Sequence, residues 1–255
     1  MRSINGFWDV TVRIDPSVLF QDLRLWKMDL KGACTLLSYR PEDAGLFGME
    51  VTGDLVYLQI VGIFGWACTP AAFQTVTRAI IYELHHKLQS AMHMYVDDIV
   101  GVCFAKDLAA DLIQARATCT DLLGSKAVAD EKTKSGTRLE IIGYTIDLEL
   151  RRVSISKRNF LNTLYGFLMV DLDAPIALKE AQRLAAYGSR YGAICRAMRS
   201  FSAALYRMAA GRTARMSSFP ITEEAKIAIR LWRAMLVLTS FETTRFCRPL
   251  HSFDL

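Results

Sequence analysis

The chain has 255 residues, of which 52% are hydrophobic, and a formal net charge of +5. That apolar content is ample for one large core or two small ones, and no charge-free run of 18 apolar residues marks a membrane span. The charge is unevenly placed: residues 1–150 hold 14 Lys+Arg against 19 Asp+Glu (−5), and residues 151–255 hold 17 against 7 (+10). Residues 1–20 have mixed character and, despite Arg2, no apolar stretch before a cleavage site, so no secretory signal is expected. Leu23 to Leu30 reads as a strand. Ala44 to Ile63 holds two strand-like runs about the turn signal Thr52-Gly53-Asp54. Thr69 as N-cap and Pro70 at the first position open a helix running to about Ser90. Its apolar face is Ala72, Phe73, Val76, Ile80 and Leu84. Residues 91–104 read as a hairpin, Lys106 to Leu123 as a second helix, and Leu139 to Ile146 with Arg152 to Ile155 as another hairpin about Asp147-Leu148-Glu149. Beyond Ser156 the pattern is helical: Lys157 to Met169, Ala177 to Gly188, Tyr191 to Ala210 and Thr222 to Phe241. The predicted fold class is therefore α+β, a sheet with helices on one face over 1–156 followed by an all-helical region over 157–255.

Chemistry concentrates at Tyr95-Val96-Asp97-Asp98. Two apolar runs, Ala91–Val96 and Ile99–Phe104, flank two adjacent carboxylates, a strand, acidic turn, strand pattern. Asp-Asp is at home in ordinary turns. A hairpin tip also lets both side chains reach one cavity, and carboxylate oxygens are the hard ligands Mg²⁺ prefers. A two-metal site needs a further carboxylate, which Asp29 offers at the end of another apolar run. The six cysteines (Cys34, Cys68, Cys103, Cys119, Cys195, Cys247) form no Cys-x-x-Cys pair, and the histidines, His85-His86 among them, show no metal spacing. These exclude a disulfide frame and a zinc site and predict a reduced intracellular protein, in cytoplasm or nucleus.

Five segments in order resemble the reverse transcriptases of retroelements. Tyr95-Val96-Asp97-Asp98 is similar to their Tyr-x-Asp-Asp box, and Lys27-Met28-Asp29-Leu30 to their first palm strand. Phe64-Gly65-Trp66-Ala67-Cys68-Thr69-Pro70-Ala71-Ala72-Phe73 resembles their Phe-Gly-Leu-x-x-(Ser/Ala)-Pro-x-x-Phe segment. Asp130-Glu131-Lys132-Thr133 resembles their Glu-Lys-Ser segment, and Leu139-Glu140-Ile141-Ile142-Gly143 the strand that follows. The likeness covers residues 23–156, continues more weakly to about 210, and is nearest to long-terminal-repeat and tyrosine-recombinase retroelements.

The resemblance implies a palm (1–156, with partial fingers) and a thumb-like helical region (157–255). It implies an RNA-directed DNA polymerase, a nucleotidyltransferase that joins a dNTP to a primer 3′-hydroxyl on an RNA or DNA template. The cofactors implied are two Mg²⁺ ions, with Mn²⁺ as an alternative. Asp29 and Asp97 would bridge the metals, Asp98 would be the third carboxylate, and the Leu30 carbonyl would contact the metal carrying the triphosphate. Lys132 would lie near the leaving pyrophosphate, stabilising charge or donating a proton. Cys34 takes the position that selects the sugar, where the family has an aromatic. Gly65 would lie under the template, Trp66 would stack on a base or pack on the palm, and Tyr95 would touch the primer terminus. Lys157, Arg158, Arg190, Arg196 and Arg199 would track duplex phosphates, as expected of a basic half beside an acidic one. Other retroelement polyprotein domains are expected partners, and no membrane is. The family's fingers strands are expected to be largely missing, because 28 residues precede Asp29. A truncated, inactive remnant that keeps the palm fold is the alternative.

Overall fold

The structure, a computed structural model, describes residues 22–53, 55–62, 68–192, 194, 198–211, 218–238 and 247–249. The chain divides into two compact units, Met1–Leu139 and Glu140–Leu255.

The first unit is built on a four-stranded antiparallel sheet. Its strands are β1 (Leu23–Asp29), β4 (Ala91–Tyr95), β5 (Asp98–Phe104) and β6 (Lys134–Gly136), in the order β4-β5-β1-β6. β1 lies inside the sheet, and Leu23, Leu25, Trp26 and Met28 are all buried. Two helices, α1 (Cys68–Lys87) and α2 (Leu108–Leu123), complete the core through Phe73, Ile80, Leu84, Ala115 and Cys119, packed with Trp26, Met28, Met94 and Ile99. The helix expected to end near Ser90 stops at Lys87, and Ala72 is exposed. The buried stripe of α1 is instead Thr69, Phe73, Thr77, Ile80 and Leu84. Thr77 can take a buried place because its hydroxyl finds acceptors: Thr77 Oγ1 lies 3.0 Å from the Phe73 carbonyl and 3.2 Å from that of Val96, sharing one proton between them.

A second buried polar node ties sheet to helix. Trp26 Nε1 donates to Ser90 Oγ at 2.8 Å, Ser90 donates to the Asp111 carboxylate, and the Gln89 amide donates to the same group at 3.1 Å. Each buried donor has an acceptor, so the node helps fix how β1 and α2 meet without leaving an unpaired polar group. The two runs expected in 44–63 appear as β2 (Gly48–Thr52) and β3 (Leu55–Leu58), with Gly53 at φ 55° in the turn. Every described residue of this ribbon is exposed, including Met49, Val51, Leu55, Val56, Tyr57 and Leu58.

The strand expected over Leu139–Ile146 is two strands, the first of which begins at Arg138. A two-residue turn at Ile142-Gly143, with φ 49° and 82°, separates β7 (Arg138–Ile141) from β8 (Tyr144–Asp147). Two positive φ angles suit the right-handed twist of a tight hairpin, although a β-branched residue resists that conformation. β8 turns through the Asp147 side chain, which accepts from the Leu150 amide at 2.8 Å, into β9 (Arg152–Ile155). β10 (Cys247–Pro249) adds to β9, giving the order β10-β9-β8-β7.

Among the described residues, four helices belong to the second unit: α3 (Lys157–Leu168), α4 (Leu178–Gly192), α5 (Arg199–Ala209) and α6 (Glu223–Leu238). Trp232 of α6 is fully buried, stacked on Phe167 (5.2 Å between centroids) and edge-on to Tyr191 (5.4 Å). Gly188 does not end α4 as expected. It is a crossing point, where a Cβ would stand 2.5 Å from Ser202 Oγ and 3.2 Å from the Trp232 ring, and the helix runs on to Gly192. Arg233 closes the end of α3, with Nε donating to the Phe167 carbonyl at 2.8 Å and the same guanidinium reaching the Val170 carbonyl.

Candidate active site

Asp29 is the last residue of β1 and Asp98 the first of β5, and the antiparallel register pairs them directly. Direct cross-strand partners project from the same face of a sheet, so the two carboxylates leave the sheet side by side although 69 positions separate them. Tyr95, the last residue of β4, is the register partner of Asp98 on its other side and is 43% exposed. Asp97 sits in the two-residue turn between β4 and β5, with Val96 at φ 57°, a conformation that β-branched side chains oppose. Two bonds over-determine the turn. The Leu30 amide donates to the Asp97 carbonyl at 2.9 Å, and Thr77 of α1 reaches the Val96 carbonyl.

Leu30 buries its side chain and bridges Val128, while its carbonyl accepts no hydrogen bond among the described residues. That bridge brings in the segment carrying Lys132: Lys31 donates its amide to Ala127 (2.7 Å), and Ala129 donates to the Asp29 carbonyl (2.9 Å). A 3₁₀ turn, Asp130–Lys132, follows, and Arg116 of α2 grips it with a bidentate pair to Asp130 at 2.8 and 2.6 Å. The turn delivers Lys132 Nζ to 2.8 Å from Asp29 Oδ2.

Charge crowding shows in the acidities. Burial, with the Asp29 charge adding to it, raises the Asp97 carboxyl above its ordinary value, while its backbone hydrogen bond and Lys132 oppose the rise. Burial also raises Asp98, where Lys27 is the strongest opposing influence and the Asp97 and Asp29 charges push the same way as burial. The hydrogen bond to Asp29 raises the Lys132 ammonium. Burial, and then the Asp97 charge, raises the Cys34 thiol. Two carboxyls raised by burial and by neighbouring negative charge form the kind of site a divalent cation relieves.

The donor set, all hard oxygens, suits Mg²⁺. Among the described residues, however, no three His, Cys, Asp or Glu side chains already stand as a ligand set. The Lys132 ammonium holds the Asp29 oxygen that a cation would need, on a side chain 60% exposed and therefore able to leave.

Asp29, Leu30, Tyr95, Asp97, Asp98 and Lys132 thus converge at one end of the sheet. Cys34 belongs to the same unit but is only 2% exposed, so its thiol faces the interior. Gly65, Trp66 and Arg196 lie outside the described residues. In the second unit, Lys157 and Arg158 are exposed at the start of α3. Arg190 is half-buried, its carbonyl accepting from Tyr144 Oη at 3.0 Å. Arg199 donates from Nε to the Gly192 carbonyl at 3.0 Å, which commits part of its guanidinium to the end of α4.

From sequence, Lys27 entered only as part of Lys27-Met28-Asp29-Leu30, with no role of its own, and Arg116 and Thr77 were not singled out. Lys27 alone carried a signal: two positions before Asp29 on a strand is the same face.

A scan against protein-family models finds no match, and neither does a search of curated proteins. Solved structures do match. A foamy viral protease-reverse transcriptase in complex with double-stranded DNA is similar over 84% of this chain and 35% of its own, with TM-score 0.56 and 13% identity. A foamy viral protease-reverse transcriptase in complex with an RNA/DNA hybrid is similar over 84% of this chain and 27% of its own, with TM-score 0.53 and 14% identity. The chain therefore has an α+β fold similar to that of reverse transcriptases, and spans about a third or less of those chains.

Proposed function

We propose that this chain is the palm and thumb-like part of an RNA-directed DNA polymerase of the retroelement type. The carrying observation is the register pair Asp29–Asp98, with Asp97 in the adjoining turn, on a reverse-transcriptase-like fold. Asp29, Asp97 and Asp98 would hold Mg²⁺, helped by the Leu30 carbonyl, and the metal would activate the primer 3′-hydroxyl and shield the charge of the triphosphate. In the reaction that hydroxyl oxygen would bond to the α-phosphorus of a dNTP, the bond to pyrophosphate would break, and the hydroxyl proton would pass to solvent water. Once free of Asp29, Lys132 neutralises the leaving pyrophosphate or gives it a proton. Tyr95, exposed beside Asp98, would support the primer terminus. The exposed Lys157 and Arg158 are candidates for duplex phosphates.

The test is primer extension on RNA and DNA templates with Mg²⁺, comparing the chain with Asp97→Asn. Extension that disappears in the variant supports the assignment, and extension that survives it overturns it. The closed Lys132–Asp29 pair favours a second reading, a catalytically inactive remnant that binds nucleic acid at most. That reading expects no extension with Mg²⁺ or Mn²⁺ and no saturable Mg²⁺ binding.

A further inference from the structure

One row along the sheet from the carboxylates, the same face carries an unusual arrangement. The register sets Lys27 of β1 directly opposite Lys134 of β6. Lys27 and Asp29 alternate onto one face of β1, so both lysines project on the side where Asp29 and Asp98 project. Like charges placed directly opposite are destabilising in a sheet, and neither lysine makes an ion pair with an acidic side chain among the described residues. Lys27 is half-buried and Lys134 exposed, so the pair opens to solvent at one edge. Lys132 approaches the same face through Asp29. Three ammonium groups therefore border three carboxylates. A metal ion on the carboxylates would free Lys132 and cancel the negative charge that now offsets Lys27, leaving a cationic row with no anion.

We propose that Lys27 and Lys134 form a phosphoryl-oxygen binding site beside the carboxylates, in which the two ammonium groups straddle the non-bridging oxygens of one phosphate of a bound ligand. The proposal builds on the polymerase reading, which supplies the phosphorylated ligand. The ligand chemistry has two sources, the triphosphate of a nucleotide or the backbone phosphate of a nucleic-acid strand, and they can be separated. A lysine ammonium offers three donors and a point charge, which suits phosphate oxygens approached from two strands.

The test is calorimetric titration of the full chain with inorganic tripolyphosphate, with and without Mg²⁺, and with a twelve-nucleotide dT strand. The proteins compared are the wild type, Lys27→Gln/Lys134→Gln, Lys27→Arg/Lys134→Arg, and the exposed-lysine control Lys126→Gln. The glutamine pair is expected to weaken at least one ligand by about tenfold or more, with the arginine pair near wild type and Lys126→Gln within about twofold. Loss confined to tripolyphosphate identifies the nucleotide tail; loss confined to the strand identifies its backbone. Unchanged affinity for both ligands in the glutamine pair, or equal loss in Lys126→Gln, overturns the proposal. So does loss in the arginine pair as large as in the glutamine pair, which would mark misfolding rather than removal of charge. The metal-free arm keeps the two readings apart: lysine-dependent binding without Mg²⁺ stands even if the carboxylates hold no metal.

Discussion

Gly101→Ala tests how β1 is seated. Gly101 lies opposite Trp26 across the β1–β5 pair, and the indole occupies the space a side chain would need. A Cβ there would stand 2.4 Å from Trp26 Cε2 and 2.6 Å from Cζ2 and Nε1, closer than packed atoms come. The indole is fully buried and its Nε1 is held by Ser90, so it cannot swing into solvent. Over-packing of this kind costs about 1–3 kcal/mol. Pulling Nε1 off Ser90 would strand a buried donor at a further ~1–3 kcal/mol. The strand preference of alanine over glycine offsets roughly 0.5–1 kcal/mol. The net loss is about 1–5 kcal/mol, centred near 3, a large part of the ~5–15 kcal/mol that holds a typical domain folded. Urea denaturation should show the first unit's transition moving down on the order of 1 M, given slopes of about 1–3 kcal/mol/M. Asp29 follows Trp26 by three residues on the same strand, so any Mg²⁺ affinity of the proposed carboxylate site should fall as well. The added truncation Trp26→Leu should recover part of the loss, as coupling between touching residues requires. A Gly101→Ala chain within about 0.5 kcal/mol of the wild type would show that the indole is not seated on this glycine.

Three further outcomes are expected. Asp98→Asn should raise the melting temperature at pH 7 in EDTA. Burial holds the folded-state pKa of Asp98 above the ordinary 3.8, so its ionised form opposes folding as pH rises through that window; the gain should vanish below about pH 3.8, and a gain that persists there would refute the electrostatic cause. Arg233→Met should cost the helical unit about 1–3 kcal/mol in thermal or urea unfolding, because the carbonyls ending α3 lose their donor, and a neutral result would mean that water serves them as well. Val56→Thr with Leu58→Lys should lower light scattering at high protein concentration and change stability by no more than about 0.5 kcal/mol, since both residues are exposed on the β2–β3 ribbon.

Local pattern was enough for many of the elements. Apolar alternation about Asp97-Asp98 marked a hairpin, and the spacing of Phe73, Ile80 and Leu84 marked a helix, because these periods follow from backbone geometry within a few residues. The order of the segments was enough to suggest the fold class, and Asp29, Asp97, Asp98 and Lys132 were singled out from sequence alone. Their meeting was not a local matter. Asp29 faces Asp98 only because β1 inserts between β5 and β6, and Lys132 reaches Asp29 only because the bridge at Val128 and the Arg116–Asp130 pair aim its turn. The same holds where local signals pointed elsewhere. Gly188 carries a helix-ending residue type yet sits inside α4, since helix crossing there leaves no room for a Cβ. Ile142 accepts a positive φ because two strands must reverse within two residues. Thr77 is buried because Val96 and Phe73 offer it carbonyls. Sequence by itself determined which short segments could be strand, helix or acidic turn; tertiary packing decided which distant side chains share a face, because only strand register and helix crossing carry that information.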